Sequence, residues 1–194
     1  MAKLIGFKKK NIAVFISGTG SNLKNLIKHS FKKNSKFKII YIISDNFNAK
    51  GLKYAKKYMI KKKIINYKNI KLAENEILIE MKKNEIELIC LAGFMKILSN
   101  SFIKRFRGKI LNIHPSLLPK YKGLNTHQRA INNKDKFSGC TVHYVNSKLD
   151  AGKIIIQKKV RIFKNDTNEK LAKRILKQEH YLYPKALKKV LINL

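Results

Sequence analysis

The sequence alternates between short apolar runs rich in β-branched residues and longer segments with helical spacing. The apolar runs are too short for helices and are typical of buried strands; they cover residues 12–16, 38–44, 88–92 and 110–114, with a weaker candidate at 63–66. Between them, apolar residues three or four positions apart predict helices over 21–31, 49–58 and 72–82. This alternation predicts a parallel sheet with its functional groups at the carboxyl ends of the strands.

The last third of the chain has a different pattern. Residues 138–145 and 153–162 are predicted strands joined by a polar turn that contains Asp150 and Gly152, which favours an antiparallel hairpin. Residues 167–194 have a helical pattern that Thr167 can cap and that Pro184 is expected to kink or divide. The predicted fold class is therefore α/β: an open, mostly parallel twisted sheet flanked by helices, with an antiparallel C-terminal hairpin. Without repeats or linkers, residues 1–194 are expected to form a single domain.

The net charge is extreme for this length. The chain has 44 lysines and arginines but only 11 acidic residues, which gives a formal net charge of +33. Such a charge suits a nucleic-acid-binding protein. However, the lysines are spread along the whole chain and arginine, the better reader of bases, is scarce. We therefore interpret the lysines as a solvated surface and expect no specific nucleic-acid partner.

Several other classes are excluded by composition. Two cysteines are too few for a disulfide scaffold or a four-cysteine zinc site. No apolar run approaches the roughly 20 residues of a membrane helix, and the N-terminal segment lacks a secretory signal. We expect a cytoplasmic protein, monomeric or homodimeric, with no membrane partner. The histidine spacing predicts no metal site, so surface or hydrogen-bonded positions are expected for His29, His127, His143 and His180.

A glycine loop follows the first predicted strand and opens a helix. It contains Gly18 and Gly20, followed by Ser21 and Asn22. Glycines allow a close backbone approach, and free N–H groups at a helix start favour a phosphate. Leu23 stands where the dinucleotide fingerprint requires a third glycine, so a small monophosphate ligand fits better than NAD or ATP. A tight turn without a ligand is the alternative.

The most informative segment surrounds Asn112 and His114. These residues are two apart on a predicted strand, so their side chains point to the same side at its carboxyl end. An amide N–H can stabilise an oxyanion, and a histidine can exchange a proton near neutral pH. The pair lacks a carboxylate to orient the ring. Aspartates are rare in this chain, and Asp150, in the turn of the predicted hairpin, is the one expected to reach the neighbouring strand end. A structural role for His114 is the alternative.

Five segments in register resemble the phosphoribosylglycinamide formyltransferase family. They are SGTGSNL (17–23), LAGFMKILS (91–99), LNIHPSLLPKYKG (111–123), LDAGKIIIQ (149–157) and QEHYLYP (178–184). The resemblance implies an open α/β sheet with a nucleotide-binding-like half at about 11–110 and a folate-binding and catalytic half at about 111–194. It also implies transfer of a formyl group from the co-substrate 10-formyltetrahydrofolate to the amine of glycinamide ribonucleotide, in purine biosynthesis, without a metal.

The same resemblance implies roles for particular residues. Asn112 and His114 would flank the formyl carbon, and Asp150 would keep His114 charged and help to move protons through water. The small-molecule ribonucleotide would be bound by Gly20, Ser21, Asn22, Gln178 and Glu179. The folate pocket would be lined by Met95, Lys96, Ile97, Leu98 and Asn112, and by Asn146, Ser147, Lys148, Leu149 and Asp150. Asn125 is a departure, since many members have a histidine there.

Related functions remain open alternatives. A formyltetrahydrofolate hydrolase would share the three candidate catalytic residues, but is expected to have an additional N-terminal regulatory domain. A transfer RNA formyltransferase is expected to have a further C-terminal domain. A catalytically inactive binder of folate or nucleotide is the third alternative.

Overall fold

The computed structural model describes residues 8–192, and its elements follow the predicted alternation. The strands of this part of the chain are β1 (Lys10–Ile16), β2 (Phe37–Ser44), β3 (Lys61–Ile64), β4 (Leu88–Leu91), β5 (Lys109–His114), β6 (Phe137–Tyr144) and β7 (Ile154–Arg161). The helices are α1 (Ser21–Ser30), α2 (Lys53–Lys57), α3 (Ile70–Lys83), α4 (Asn100–Arg105), α5 (Thr126–Asn132) and α6 (Asn168–Ile192). A 3₁₀ turn at Lys50–Leu52 leads into α2.

The strands form one sheet in the order β3-β2-β1-β4-β5-β6-β7. The first five in this order run parallel, whereas β6 and β7 are antiparallel to their neighbours. The predicted fold class, including the C-terminal hairpin, is confirmed. The strand order changes direction between β1 and β4, and in open α/β sheets such a point leaves a crevice at the carboxyl ends of the strands. The glycine loop after β1 opens at this crevice.

Strand β1 shows why the sheet is buried on both faces. Its successive side chains alternate between two apolar layers, with Ile12, Val14 and Ile16 in one layer and Ala13 and Phe15 in the other. All five are fully buried. The first layer also contains residues of α1 and α6, and the second contains residues of α3 and α4. A continuous β-branched run is what a central strand covered on both sides requires.

Helix α6 runs through Pro184 without interruption, so of the two predicted effects of this proline, a kink or a division of the helix, division is wrong. Proline lacks the N–H that would bond to the carbonyl of His180, four residues earlier. Asn25 of α1 compensates, because its Nδ2 donates to that carbonyl oxygen at 2.5 Å. Although α6 is 25 residues long, it is too polar to cross a membrane, as are the other helices within residues 8–192.

The remaining differences from prediction concern short or exposed elements. β3 begins two residues earlier than predicted, because this edge strand consists mainly of exposed lysines rather than of the apolar pair at Ile64 and Ile65. Helices α4 and α5 were not predicted, since six and seven residues are too few for a helical period to stand out. Ser99 caps α4 by accepting a hydrogen bond from the Phe102 N–H at 3.0 Å.

Candidate active site

Asn112, His114 and Asp150 meet at the carboxyl end of β5. The Asp150 carboxylate lies between the other two, with Oδ2 at 3.4 Å from His114 Nδ1 and Oδ1 at 3.4 Å from Asn112 Nδ2. The side chains of His114 and Asp150 are only 7% and 8% exposed. The turn before β7 thus brings an acid to the end of a strand that lies more than thirty residues earlier in the chain. The carboxylate thus contacts both an amide donor and an imidazole, which is a set able to stabilise an oxyanion and move a proton.

Asp150 has several polar partners. The backbone N–H of Gly123 donates to its Oδ2 at 2.9 Å, and the Nε2 atom of His143 lies 3.6 Å from its Oδ1. Burial acts to raise the pKa of Asp150, but the contacts with His143, the Gly123 N–H and His114 outweigh it and hold the pKa below its usual range. The side chain is therefore an ionised carboxylate at neutral pH.

His143 also belongs to this group, although the sequence predicted only a surface or hydrogen-bonded position for it. It lies on β6 directly opposite Asn112 and is only 2% exposed. Its Nδ1 donates to the Tyr144 carbonyl oxygen at 2.8 Å, and its Nε2 faces Asn112 Nδ2 at 3.3 Å. The place of His143 follows from the antiparallel pairing of β5 with β6. The hydrophobic periodicity of the sequence does not reveal that pairing.

His114 is held by a backbone group as well as by Asp150. Its Nε2 lies 2.8 Å from the carbonyl oxygen of Tyr121. A carbonyl oxygen can only accept, so Nε2 carries a hydrogen and Nδ1 is the nitrogen that faces Asp150. Burial lowers the pKa of His114, while the Tyr121 carbonyl and the Asp150 carboxylate act in the opposite direction without cancelling the effect. The ring of the unliganded protein is therefore more easily deprotonated than a free histidine.

The glycine loop and α6 form a second group of candidate residues. Gly20 has a left-handed conformation (φ +69°), and a Cβ there would lie 2.7 Å from the Gly51 Cα, so the close turn requires glycine. Asn22, in the first turn of α1, donates from Nδ2 to Glu179 Oε2 at 2.7 Å. Both side chains are 7% exposed. Burial raises the pKa of Glu179, and the single Asn22 hydrogen bond only partly opposes this. Gln178 beside it is half-buried.

The candidate folate-binding residues lie mostly on exposed segments. Met95 and Ile97 are 62% and 69% exposed, which is unusual for large apolar side chains, and the nearby Lys96 is exposed as well. The segment preceding Asp150 is also exposed: Asn146, Ser147, Lys148 and Leu149. Leu98 is different, since its side chain is buried in the core layer beneath α3. A cavity of about 150 Å³ borders Asp150 and is lined in part by Pro119 and Ile154.

Within residues 8–192, no group of three or more histidine, cysteine, aspartate or glutamate side chains has an arrangement that could hold a metal ion. Cys90 and Cys140 are buried free thiols, and burial raises the pKa of both. Such thiols are inert packing residues.

Known proteins are similar to this chain over most of its length. Residues 10–187 match the family described as formyl transferase. The chain is 44% identical to the phosphoribosylglycinamide formyltransferase of Haemophilus influenzae, over 92% of this chain and 86% of the relative. It superimposes with a TM-score of 0.90 on the crystal structure of phosphoribosylglycinamide formyltransferase from Anaplasma phagocytophilum, at 42% identity over 96% of this chain and 88% of the other.

Longer proteins contain a similar segment. The human trifunctional purine biosynthetic protein adenosine-3 is 42% identical over 94% of this chain. The chain spans only 18% of that protein, and 14% of the corresponding protein of Chironomus tentans.

Proposed function

Because this chain belongs to the formyl transferase family, we propose that it transfers the formyl group of 10-formyltetrahydrofolate to the amine of glycinamide ribonucleotide. The products are the N-formyl ribonucleotide and tetrahydrofolate, as part of purine biosynthesis. The proposal rests on the convergence of three side chains at the end of β5. There the Asp150 carboxylate lies 3.4 Å from His114 Nδ1 and 3.4 Å from Asn112 Nδ2. A relative of 44% identity over most of both chains bears the name of this activity.

The three side chains suit each stage of such a transfer. The neutral amine attacks the formyl carbon, the C=O bond becomes a C–O⁻ bond, and the Asn112 amide together with protonated His114 stabilises this oxyanion. The bond from carbon to the folate nitrogen then breaks, and that nitrogen must gain a proton while the new amide nitrogen loses one. Asp150, an ionised acceptor, passes protons between these nitrogens through water.

The lowered pKa of His114 is compatible with this role. Burial favours the neutral ring before reaction. A negative oxygen that develops beside the ring favours its protonated form, so stabilisation is greatest in the transition state rather than in the ground state. An interaction of that kind increases kcat.

We assign the two substrates to the two groups of residues. Gly20, Ser21 and Asn22 would bind the phosphate through α1, and Gln178 and Glu179 would bind the rest of the ribonucleotide. The folate would lie against exposed apolar and polar side chains: Met95, Lys96, Ile97, Leu98, Asn112, Asn146, Ser147, Lys148, Leu149 and Asp150. Leu98 can take part only through its backbone, because its side chain is in the core.

The halves of the chain then have different roles. Residues of about 11–110 form the nucleotide-binding half, and residues of about 111–194 form the folate-binding and catalytic half. We propose that the protein acts in the cytoplasm, as a monomer or homodimer, on small molecules. The charge of +33 increases the capture rate of two anionic substrates and does not indicate a nucleic-acid partner.

The test is a transfer assay with both purified substrates. The wild type is expected to produce the N-formyl ribonucleotide, and His114→Ala is expected to lose at least about a hundredfold in kcat, as for the loss of a general acid. Release of formate without formylation of the ribonucleotide would instead identify a formyltetrahydrofolate hydrolase and contradict the proposal. Binding of both substrates without any turnover would indicate an inactive binder.

A further inference from the structure

One loop supplies backbone partners to two of the candidate catalytic groups. The segment between β5 and α5 (residues 115–125) accepts from His114 Nε2 through the carbonyl oxygen of Tyr121 at 2.8 Å. Two residues later, its Gly123 N–H donates to Asp150 Oδ2 at 2.9 Å. The path of this loop therefore determines both which nitrogen of His114 carries a hydrogen and how Asp150 is oriented.

The loop adopts an unfavourable conformation at the residue that contacts His114. Tyr121 has φ +54°, in the left-handed region that bulky side chains rarely occupy. Such a conformation is strained and persists only when surrounding contacts enforce it. Gly123, at φ +75°, has no such cost. The side chain of Tyr121 must therefore be well anchored.

The hydroxyl of Tyr121 has two partners just beyond α5. It donates to Asp135 Oδ2 at 2.9 Å and accepts from Asn133 Nδ2 at 2.9 Å. Asp135 also pairs with Lys120 at 3.2 Å, but the lysine side chain is 63% exposed and contributes little. The buried end of this anchor is therefore the Tyr121–Asp135 hydrogen bond.

Arg129 of α5 holds the same loop from the side. Its guanidinium lies 5.1 Å from the centroid of the Tyr121 ring. Its Nη1 donates to the carbonyl oxygens of Lys122 at 2.7 Å and Leu124 at 3.3 Å, which flank Gly123. The ring and the following backbone are thus tied to one helix.

We propose that Tyr121 is a positioning residue whose anchored side chain fixes the carbonyl that keeps His114 Nε2 protonated, so that Nδ1, 3.4 Å from Asp150, is the nitrogen that exchanges the catalytic proton. Asp135 and Arg129 act through Tyr121. The catalytic part of this inference rests on the proposed formyl transfer, whereas the anchor and the tautomer are properties of the free protein.

The charged and titratable groups around His114 make the sign of the effect definite. Asp150 and the Tyr121 carbonyl act to raise the pKa of His114, whereas burial, His143 and Arg129 act to lower it. His127 of α5 also interacts with His114. If the Tyr121 carbonyl moves away, a contribution that raises the pKa is lost, so the pKa of His114 falls further. Substitutions at Tyr121 and Asp135 leave the other contributions to the pKa of His114 in place.

The experiment uses Tyr121→Phe and Asp135→Ala, singly and together; alanine removes the acceptor, which an asparagine amide would retain. Long-range ¹H–¹⁵N NMR of the free protein reports the tautomer and titration of His114, whose signals are assigned by their loss in His114→Gln. We expect the Nε2–H tautomer in the neutral wild-type ring, a mixture of tautomers in each variant, and a lower His114 pKa. In the transfer assay, kcat is expected to fall about tenfold, a part of the total general acid–base contribution, while both KM values change little.

Non-additivity and a matched control make the test specific. Because Tyr121→Phe already removes the hydroxyl that donates to Asp135, the double variant is expected to be no worse than Tyr121→Phe alone. Tyr181→Phe is the control, since that hydroxyl bonds to Lys185 at 2.8 Å on α6 and the residue is 55% exposed. It should leave the His114 signals and kcat as in the wild type.

Two results would overturn the inference. One is a wild-type His114 that is protonated on Nδ1 when neutral; the other is a Tyr121→Phe variant with the wild-type tautomer and pKa. The NMR readout needs no substrate. A wild type without transfer activity, but with the expected tautomer change in the variants, would therefore contradict the proposed function and leave the anchor intact.

Discussion

Asp150 and Glu179 are two buried carboxyl groups with opposite electrostatic behaviour. The side chain of Asp150 is 8% exposed and the whole residue Glu179 is 7% exposed, but Glu179 is surrounded by more protein and is the more deeply buried of the two. Burial acts to raise the pKa of each, yet the net pKa is lowered for Asp150 and raised for Glu179. Their partners differ as well, because Asp150 contacts a backbone N–H and two imidazoles, whereas Glu179 accepts one hydrogen bond from Asn22.

The comparison shows that the depth of burial and the number of donors together set the direction in which the pKa of an acid shifts in this protein. A charged Asp150 suits proton transfer at the end of β5. The raised pKa makes Glu179 easier to protonate than a free carboxyl group, and a protonated carboxyl group can both donate and accept hydrogen bonds, which suits recognition of a polar substrate beside Asn22. The candidate catalytic and binding ends of the site thus differ in the surroundings of their acids rather than in residue type.

The largest effect is expected at the catalytic end. Asp150→Asn removes the negative charge between His114 and His143 while keeping the side-chain volume, so kcat should fall by at least about a hundredfold. Asp166→Asn is the matched control, because Asp166 is also hydrogen-bonded to a backbone N–H, at 2.8 Å from Phe163, but pairs with Arg174 outside the site. Steady-state kinetics with circular dichroism checks both variants, and a normal kcat in Asp150→Asn would remove that residue from the mechanism.

A smaller effect, of a different kind, is expected at the binding end. Gly20→Ala introduces a Cβ 2.7 Å from the Gly51 Cα at a left-handed φ, which displaces the start of α1. We expect KM for the ribonucleotide to rise about tenfold with little change in kcat or in KM for the folate. Gly18→Ala is the control, since a Cβ there meets no described atom within 4 Å. Equal effects of the two substitutions would contradict the requirement for glycine at position 20.

The smallest effect is on stability as a function of pH. Asp150, with a lowered pKa, stabilises the fold above its unfolded pKa of about 3.9, and this contribution is lost as the pH falls through the folded value. Glu179, with a raised pKa, contributes fully below about 4.3, and its contribution is lost as the pH rises through the folded value.

Urea unfolding from pH 2 to pH 8 measures this contrast, because the contribution of Asp150 changes below its unfolded pKa and that of Glu179 changes above its own. Relative to the wild type, Glu179→Gln should become more stable as the pH rises and Asp150→Asn less stable. The same pH dependence for the two variants would show that the surroundings of the two acids do not separate them.

The central strands could be predicted because each is a continuous apolar run covered on both faces. β1 and β5 begin one or two residues before their predicted starts and end where predicted, at Ile16 and His114. α4 and α5 could not be found in the same way, because α4 depends on its Ser99 cap and both helices depend on tertiary contacts rather than on a repeating apolar face.

The candidate site could be predicted only in part. Asp150 was accessible from the sequence because acids are scarce and because its turn precedes a strand of the hairpin. His143 was not, since its place beside Asn112 depends on the register between β5 and β6. The contact between Tyr121 and His114 was inaccessible too, because a left-handed aromatic residue has no sequence signal.

The hydrogen bond between Asn22 and Glu179 joins residues 157 positions apart. Since a chain emerges from the ribosome N-terminal end first, the glycine loop and α1 exist long before α6 is synthesised. The candidate binding group therefore lacks one wall until α6 has left the ribosome and docked on α1. Synthesis thus has a built-in order, in which the contact between α1 and α6 can form only after the chain has been translated through α6.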